Sequence, residues 1–298
     1  MLRRRFARLL REAEIIEVDD ESRVILFSDC HRGDGGRADD FAHNQLVYIA
    51  ALKHYLEGGF THIELGDGDE LWENKNFERI KITYRTIFEL FEKFHGQGRF
   101  HFIWGNHNRD WKNVDRFRKQ FTSIIDGVSH ERVAILQGLK PHEALVLEYR
   151  KDKKRRILLV HGHQGELLND TFWWLGRFFV RKGWRLVQLF FGVSDLTRAA
   201  KNYHLQLSSD RRFRKWVRQS GVPVIIGHTH NPVFPSEGEV SYFNDGCCVH
   251  PRCITGLEIE HGQIRLIKWF VDLADNNTLS IQRQVLAGPR PLHSLFGV

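Results

Sequence analysis

The sequence has few cysteines and no long hydrophobic run, and each shortage excludes a class of protein. Its four cysteines have no repeated CxxC spacing, which argues against a disulfide framework or a zinc finger and favours reduced thiols. No apolar run reaches the roughly 18 residues that a membrane-spanning helix needs. The first residues, MLRRRFARLLREAE, lack the apolar core and the cleavage site of a secretory signal. Together these absences predict a cytoplasmic protein.

The basic charge of the chain is concentrated in two segments. The 298 residues carry a formal net charge of +7, and the segment from Glu166 to Ser220 holds eleven Lys and Arg against four Asp and Glu. Eleven aromatic residues, including four of the eight tryptophans, lie in the same segment. A smaller basic patch at the N-terminus combines five arginines with apolar residues at helical spacing. The arginines of this patch are Arg3, Arg4, Arg5, Arg8 and Arg11.

Short apolar runs that end in polar clusters alternate with helical periodicities, which is typical of a layered α/β domain. Amphipathic helices are predicted at 41–57 and 84–94. The stretch ALVLEYRKDKKRRILLV predicts two strands around a basic turn. The separately predicted strands lie at 23–29, 61–67, 99–106, 155–162, 222–228, 242–244, 255–259 and 264–270. We therefore expect an α/β fold with a mixed or doubled sheet, large enough to bury a proper core.

The same patterns divide the chain into four regions. Residues 1–20 form a basic amphipathic N-terminal segment, and residues 21–164 together with 221–272 form the main domain. Residues 165–220 break the strand rhythm and predict a helical cap inserted into that domain. Residues 273–298 form a polar C-terminal extension with an extended backbone.

Five of the predicted strands end in side chains that can bind a metal ion. In open α/β sheets, ligands gather outside the carboxyl ends of the strands, so these residues can converge on one site. Carboxylate, imidazole and amide ligands without thiolate suit Mn, Fe or Zn, and so many ligands need two ions. A single D-x-H or G-N-H match is mostly chance, whereas five in order predict a metal centre. The residues are Asp29, His31, Asp67, Asn106, His107, His161, His163, His228 and His230.

The ordered motifs D-x-H, G-D-x-x-E, G-N-H, H and G-H-x-H over residues 29–230 resemble the calcineurin-like metallophosphoesterase family. The resemblance implies a sandwich of two mixed β-sheets flanked by helices, with a dinuclear metal centre at one edge. It also implies which residues hold the ions, with Mn as the first candidate metal and Fe or Zn as alternatives. One ion would bind Asp29, His31 and His230, the other Asn106, His161 and His228, and Asp67 would bridge them.

The resemblance further implies hydrolysis of a phosphoester. Two dications can clamp a phosphate and lower the pKa of a bridging water toward ~7, and the hydroxide then attacks phosphorus in line. His107 would stabilise the phosphoryl oxygens or protonate the leaving group, and Glu70 matches the acidic position that orients it. Asn108 stands where the family often has an acid, so Asp110 is a second candidate partner of His107. His163 is predicted to lie behind the ligands.

The substrate class is suggested by the cap. LGDGDELWEN departs from the GDxVDRG motif of the family's protein phosphatases, which argues against a phosphoprotein substrate. A helical cap before GHTH is similar to the layout of the UDP-2,3-diacylglucosamine pyrophosphatase subfamily, whose cap holds acyl chains at the membrane. This resemblance implies a pyrophosphate in a nucleotide-linked lipid and a peripheral position on the inner face of the membrane, where the basic N-terminus would meet anionic lipids. Arg109, Arg198 and Lys201 are candidate phosphate contacts.

Two alternatives stay open at this point. The first is a nuclease or nucleotide phosphodiesterase, because basic patches interleaved with aromatic residues also suit single-stranded nucleic acid. The second is a non-catalytic scaffold with a vestigial metal site, against which the complete ligand set argues. In addition, the pyrophosphatase subfamily commonly carries Arg where this chain has His107. The oligomeric state is open as well.

Overall fold

The computed structural model describes residues 2–125, 129–152, 154–164, 203–273 and 278–296. In chain order, its helices are α1 (Leu2–Glu12), α2 (Gln45–Glu57), α3 (Phe77–Thr83), α4 (Arg85–Gly96), α5 (Val114–Gln120) and α6 (Tyr203–Ser220). Its strands are β1 (Glu14–Val18), β2 (Val24–Phe27), β3 (Thr61–Leu65), β4 (Phe100–Ile103), β5 (Ser123–Ile125), β6 (Arg132–Ala134), β7 (Pro141–His142), β8 (Ala144–Tyr149), β9 (Arg156–Val160), β10 (Val224–Ile226), β11 (Tyr242–Asn244), β12 (Cys253–Glu260), β13 (Gln263–Leu273) and β14 (Leu279–Pro291).

Two large mixed sheets form the centre of the molecule. One has seven strands in the order β14-β13-β12-β2-β3-β4-β7, and the other has five in the order β1-β8-β9-β10-β11. Within the seven-stranded sheet, β2, β3, β4 and β7 are parallel, and β12 to β14 are added as an antiparallel meander. The predicted α/β fold with two mixed sheets flanked by helices is confirmed. Each of the five strands expected to carry metal ligands is present, although the apolar runs overestimated their lengths.

The two sheets pack face to face through aliphatic side chains. Leu26 and Ile63 of the seven-stranded sheet belong to the same buried cluster as Leu147, Leu159 and Ile225 of the five-stranded sheet. Parallel β2, β3 and β4 therefore end at one edge of the sandwich. The ends of β9 and β10 lie at the same edge, because Nδ1 of His161 lies 3.0 Å from the carbonyl oxygen of Leu65 and the backbone N–H of His228 donates to Oδ2 of Asp29 at 2.8 Å.

Helices cover the outer face of each sheet. Helices α2 and α4 pack on the seven-stranded sheet through a largely aromatic cluster that includes Tyr48, Phe88 and Phe91. Helices α1 and α6 pack on the five-stranded sheet, and Phe6 of α1 contacts Phe213 and Trp216 of α6 at centroid distances of 5.6 and 5.1 Å. No helix in the described ranges is both long enough and apolar enough to cross a membrane.

Three predicted regions can be placed against this fold. The N-terminal segment begins with α1, in which Phe6 and Leu9 are buried inside the molecule. A membrane contact by this segment stays a prediction, to which the exposed arginines of α1 could contribute. Of the predicted cap, residues 165–202 lie outside the described residues, and the remainder is α6. The C-terminal extension contains β14, which pairs with β13 along its length.

Candidate metal centre

The polar residues that follow the parallel strands come together at one edge of the sandwich. All seven predicted metal ligands lie there, and six of them are almost completely buried. They come from the loops after β2, β3, β4, β9 and β10, which are separated by up to two hundred residues of sequence. The predicted ligands are Asp29, His31, Asp67, Asn106, His161, His228 and His230.

One group of three donors is centred on Asp29. Its Oδ1 atom lies 3.1 Å from Nε2 of His230 and 3.6 Å from Nε2 of His31. The two imidazole Nε2 atoms are 3.3 Å apart. Three donor atoms within 4.8 Å of one another could hold one divalent ion.

A second group of three donors is centred on Asp67. Nε2 of His161 lies 2.9 Å from Oδ2 of Asp67, and His228 contributes a ring nitrogen within 4.8 Å of both donor atoms. The two groups adjoin, because Nε2 of His161 is also 3.9 Å from Oδ1 of Asp29. The edge of the sandwich therefore carries two neighbouring sets of ligand types suited to divalent metals.

The local backbone at these residues is strained. Asp29, His31, Asp67, His228 and His230 all have positive φ, between 48° and 67°. Such a conformation is uncommon outside glycine and adds about 1–3 kcal/mol at each residue. Strain of this kind persists only where the surrounding structure determines the geometry, and its concentration at one edge indicates a functional site.

Glycines let the loops approach one another closely. A Cβ atom on Gly66, which has a φ of +94°, would lie 2.5 Å from the ring of His161. A Cβ atom on Gly105 would lie 2.1 Å from Oδ1 of Asp67. These glycines precede Asp67 and Asn106, so the motifs need glycine for the side chains to converge.

Charge and hydrogen bonding prepare the donors for a cation. The Nδ1–H of His161 donates to the carbonyl of Leu65 at 3.0 Å, which leaves Nε2 facing Asp67. Burial lowers the pKa of His161, but the charges of Asp67 and Asp29 outweigh it and raise the pKa to about 9. Burial raises the pKa of Asp67, but the charge of His161 outweighs it and holds that pKa below its ordinary value.

The surroundings of Asn106 show whether the donor set fits a metal ion. Its side chain is 1% exposed, and its Oδ1 atom has no hydrogen-bond partner among the described residues. A buried amide oxygen without a partner is unfavourable by about 1–3 kcal/mol unless a further group completes it. The neighbouring backbone N–H of His107 donates to Oδ1 of Asp67 at 2.8 Å, so this amide lies beside the second donor group. The residues present fit a metal ion.

Glu70 connects the donors to His107. Its Oε2 atom lies 2.9 Å from Nδ1 of His31 and 2.7 Å from Nδ1 of His107. The ring of His107 also stacks on Trp72, with a centroid distance of 4.2 Å and an interplanar angle of 19°. The indole N–H of Trp72 donates to the carbonyl of Asn106 at 2.7 Å. One carboxylate and one indole therefore fix the orientation of this imidazole.

The sequence did not indicate a role for Trp72, nor for Ser28 and Asp245, which lie beside Asp29. Oγ of Ser28 lies 2.6 Å from Oδ2 of Asp29 and 2.7 Å from Oδ1 of Asp245. Both carboxyl oxygens are within donor distance of the Ser28 hydroxyl, and burial raises the pKa of Asp245 well above its ordinary value. Asp245 follows β11, and the rule that identified the other strand ends would have included it.

The remaining predicted residues have other surroundings. His163 is buried beside the predicted ligands, because its ring centroid lies 5.6 Å from that of His161 and 6.4 Å from that of His228. It also lies 5.5 Å from the ring of Trp104, and neither of its ring nitrogens is hydrogen-bonded within the described part of the chain. Asp110 pairs with Arg116 of α5 at 3.1 Å. The guanidinium of Arg109 lies 5.9 Å from the Trp104 ring centroid. Residues 198 and 201 lie outside the described residues.

Comparison with known proteins yields only distant likenesses. No protein-family model matches the sequence, and no curated protein matches it significantly. The solved cold-active protein tyrosine phosphatase of a psychrophilic Shewanella species is 14% identical, with 92% of this chain and 83% of that chain covered and a TM-score of 0.40. Vps29 of Chaetomium thermophilum is 10% identical, with 90% and 99% covered and a TM-score of 0.38. At these values neither likeness assigns a family or an activity to the chain.

Proposed function

We propose that this protein is a phosphoesterase that depends on two divalent metal ions. The observation that carries the proposal is the convergence of seven oxygen and nitrogen donors from five strand ends. Six of the seven residues are almost completely buried, and five have strained backbone conformations. Residues held in this way at the ends of parallel strands form a preorganised site. The motif order that resembles metallophosphoesterases supports the same reaction class.

The two groups of donors would each hold one ion. Asp29, His31 and His230 would bind the first, and His161 and His228 with Asn106 would bind the second. Asp67 would lie between the ions as a shared anion. Bound there, the ions would supply the Lewis acidity and the hydroxide needed for attack on phosphorus. Manganese is the proposed metal, with iron and zinc as alternatives, because the donors include no thiolate.

His107 is the proposed acid of the reaction. Its side chain is 13% exposed, whereas those of His31 and Glu70 are 2% and 3% exposed, so His107 is accessible to a substrate at this edge. Glu70 contacts Nδ1 of His107, and Trp72 covers one face of the His107 ring. His107 is therefore positioned to stabilise the phosphoryl oxygens or to protonate the leaving oxygen through Nε2.

The finer proposal is that the phosphoester is a pyrophosphate in a nucleotide-linked lipid, held under residues 165–220 at the inner face of the membrane. Two aromatic residues of α6, Phe213 and Trp216, are buried against Phe6 and Tyr242 and offer no acyl-chain surface. Contacts with acyl chains would therefore come from the part of the predicted cap that precedes them, and residues 165–202 carry most of its aromatic side chains.

Hydrolysis of bis-p-nitrophenyl phosphate with added Mn²⁺ tests the reaction class. We expect turnover by the wild type and at least a 100-fold loss in His228→Ala, because the second group of donors loses one imidazole. His261→Ala is the matched control, since His261 is 63% exposed and lies in the turn between β12 and β13. Absence of turnover with Mn²⁺, Fe²⁺, Zn²⁺, Co²⁺ and Mg²⁺ would refute the proposal.

A panel of substrates then tests the finer proposal. UDP-diacylglucosamine, another nucleotide-linked lipid, a cyclic nucleotide and single-stranded DNA should be compared at equal concentration. We expect the highest kcat/KM for a nucleotide-linked lipid. A preference for single-stranded DNA or the cyclic nucleotide would instead establish the nuclease or phosphodiesterase alternative.

A further inference from the structure

Two basic helices that are distant in sequence are neighbours in the structure. Helix α1 holds five arginines and one glutamate, and α6 holds five cations and one aspartate. Each helix therefore has a net charge of +4, compared with +7 for the whole chain. The contacts of Phe6 with Phe213 and Trp216 place the helices side by side. The excess positive charge of the protein is thus located on one face.

The apolar and the charged residues of these helices lie on opposite sides. Phe6, Leu9, Phe213, Trp216 and Val217 are buried against the five-stranded sheet. Because both helices cover the same face of that sheet, their exposed sides point in the same direction, away from it.

The exposed cations of α6 form a stripe. Arg211, Lys215 and Arg218 are spaced i, i+4 and i+7, which places them along one side of a helix. Arg4 and Arg11 are likewise seven residues apart on α1, and Arg3 is adjacent. We name these six exposed residues the basic platform.

No carboxylate among the described residues pairs with the six cations of the basic platform. Other arginines of the two helices already have partners within the protein. Arg5 pairs with Glu143 at 2.6 Å, and Arg8 lies 3.6 Å from Glu12. The guanidinium of Arg214 lies over the ring of Tyr242 at 5.4 Å. The basic platform is therefore the part of the two helices whose charge is available to a partner.

We propose that the basic platform binds the phosphate backbone of duplex nucleic acid. The described parts of α1 and α6 expose no large hydrophobic side chain, so the platform has no apolar residue to insert into a lipid surface and no aromatic ring on which an unpaired base could stack. Its chemistry is limited to cations, which fits a partner recognised by phosphate charge alone.

The dimensions of the surface also suit a duplex. The cations of α6 extend over seven residue steps, from Arg211 to Arg218, or about 10 Å at 1.5 Å per residue, which is the length of roughly three base-pair steps of 3.4 Å. Helices packed side by side lie about 8–10 Å apart, so two rows of cations face the partner. If all six cations meet phosphates, the logarithm of the binding constant falls with the logarithm of salt concentration with a slope of about −5.

Fluorescence anisotropy with a labelled 24-base-pair duplex DNA of random sequence tests the proposal. Binding is measured across a series of KCl concentrations with EDTA present, so that the result does not depend on the proposed phosphoesterase activity. The triple variant Arg211→Gln, Lys215→Gln, Arg218→Gln should bind more weakly and reduce the salt slope by about three. The double variant Arg4→Gln, Arg11→Gln should reduce the slope by about two.

The matched control neutralises Lys53, Lys93 and Lys140, which are equally exposed but lie outside the two helices. Thermal melting of each variant checks that it is folded. We expect the control to keep the slope of the wild type. Equal loss of slope in the control and in the platform variants would overturn the proposal. Tighter binding to vesicles containing phosphatidylserine, or to a single strand of the same length, would overturn it as well.

Discussion

Replacing Gly105 by alanine should remove metal binding while leaving the protein folded. The added Cβ would lie 2.1 Å from Oδ1 of Asp67 and 2.7 Å from the backbone nitrogen of the same residue. Asp67 is 1% exposed and is held by His161 at 2.9 Å and by the backbone N–H of His107 at 2.8 Å. It can make room only by giving up those contacts, so the carboxylate proposed to bridge the ions must move.

The size of the change in Tm follows from the thermodynamic linkage between metal binding and folding. Overpacking of this kind destabilises a protein by about 1–3 kcal/mol. A metal at 100 times its Kd stabilises the wild type by about 2.7 kcal/mol, and a 100-fold weaker Kd reduces this gain to about 0.4 kcal/mol. At roughly 2–4 °C per kcal/mol, the Mn²⁺-induced rise in Tm should fall from roughly 5–10 °C to about 1 °C.

Differential scanning fluorimetry with and without Mn²⁺ measures this rise. Gly96→Ala is the matched control, because a Cβ on Gly96, at the end of α4, has no heavy atom within 4 Å. It should keep the full Mn²⁺ effect and gain about 0.4–1 kcal/mol from the lower entropy of the unfolded chain. If Gly105→Ala kept the full rise in Tm, then Asp67 would not be a metal ligand.

Two further changes test other parts of the molecule. Glu70→Gln should lower kcat by about 10²–10⁴-fold, because His107 loses its carboxylate partner. Asp110→Asn should have little effect on kcat. The reverse result would show that Asp110 orients His107. His62 is buried among Phe91 and neighbouring aromatic rings, and burial, with the charge of Arg32, lowers its pKa to about 3. Because the unfolded histidine takes up a proton below its pKa of about 6.5 and the native one does not, stability is lost as pH falls, by about 2 kcal/mol at pH 5. In urea unfolding, the loss of stability between pH 7.5 and 5 should be about 2 kcal/mol smaller in His62→Phe than in the wild type. Equal pH dependence of the two would contradict the reasoning.

The convergence of the candidate metal donors could be predicted because the signals for it are local. The run VPVIIG before His228 is apolar for the length of a short strand, and the residues after it are polar ligand types. In α/β sheets, ligands generally bind outside the carboxyl ends of the strands. The type of a side chain and its position after a strand were therefore enough to predict one shared site. The partners of these residues carry no such signal. Nothing in the spacing of Trp72 indicates that its ring lies against His107.

For the cap segment, in contrast, the sequence did not predict which side chains are exposed. Its mixture of basic and aromatic residues suggested one surface that offers both types to a ligand. In the described part of that segment, the two types are separated, because Phe213 and Trp216 face the sheet while Arg211 and Lys215 face outward. Periodicity predicts which side of a helix is apolar, but it does not say what covers that side.

By itself, the sequence determined the α/β class of the fold, the five strands that end in candidate donors, the chemical types of the seven donors and the positions of the glycines next to them. These properties depend on neighbouring residues and on alternation along the chain. Only the tertiary structure decided that Glu70 holds two imidazoles, that Asp245 supports Asp29 through Ser28, and that α1 lies against α6. Such contacts join residues that can be two hundred positions apart, and they depend on how the sheets pack, which no local pattern specifies.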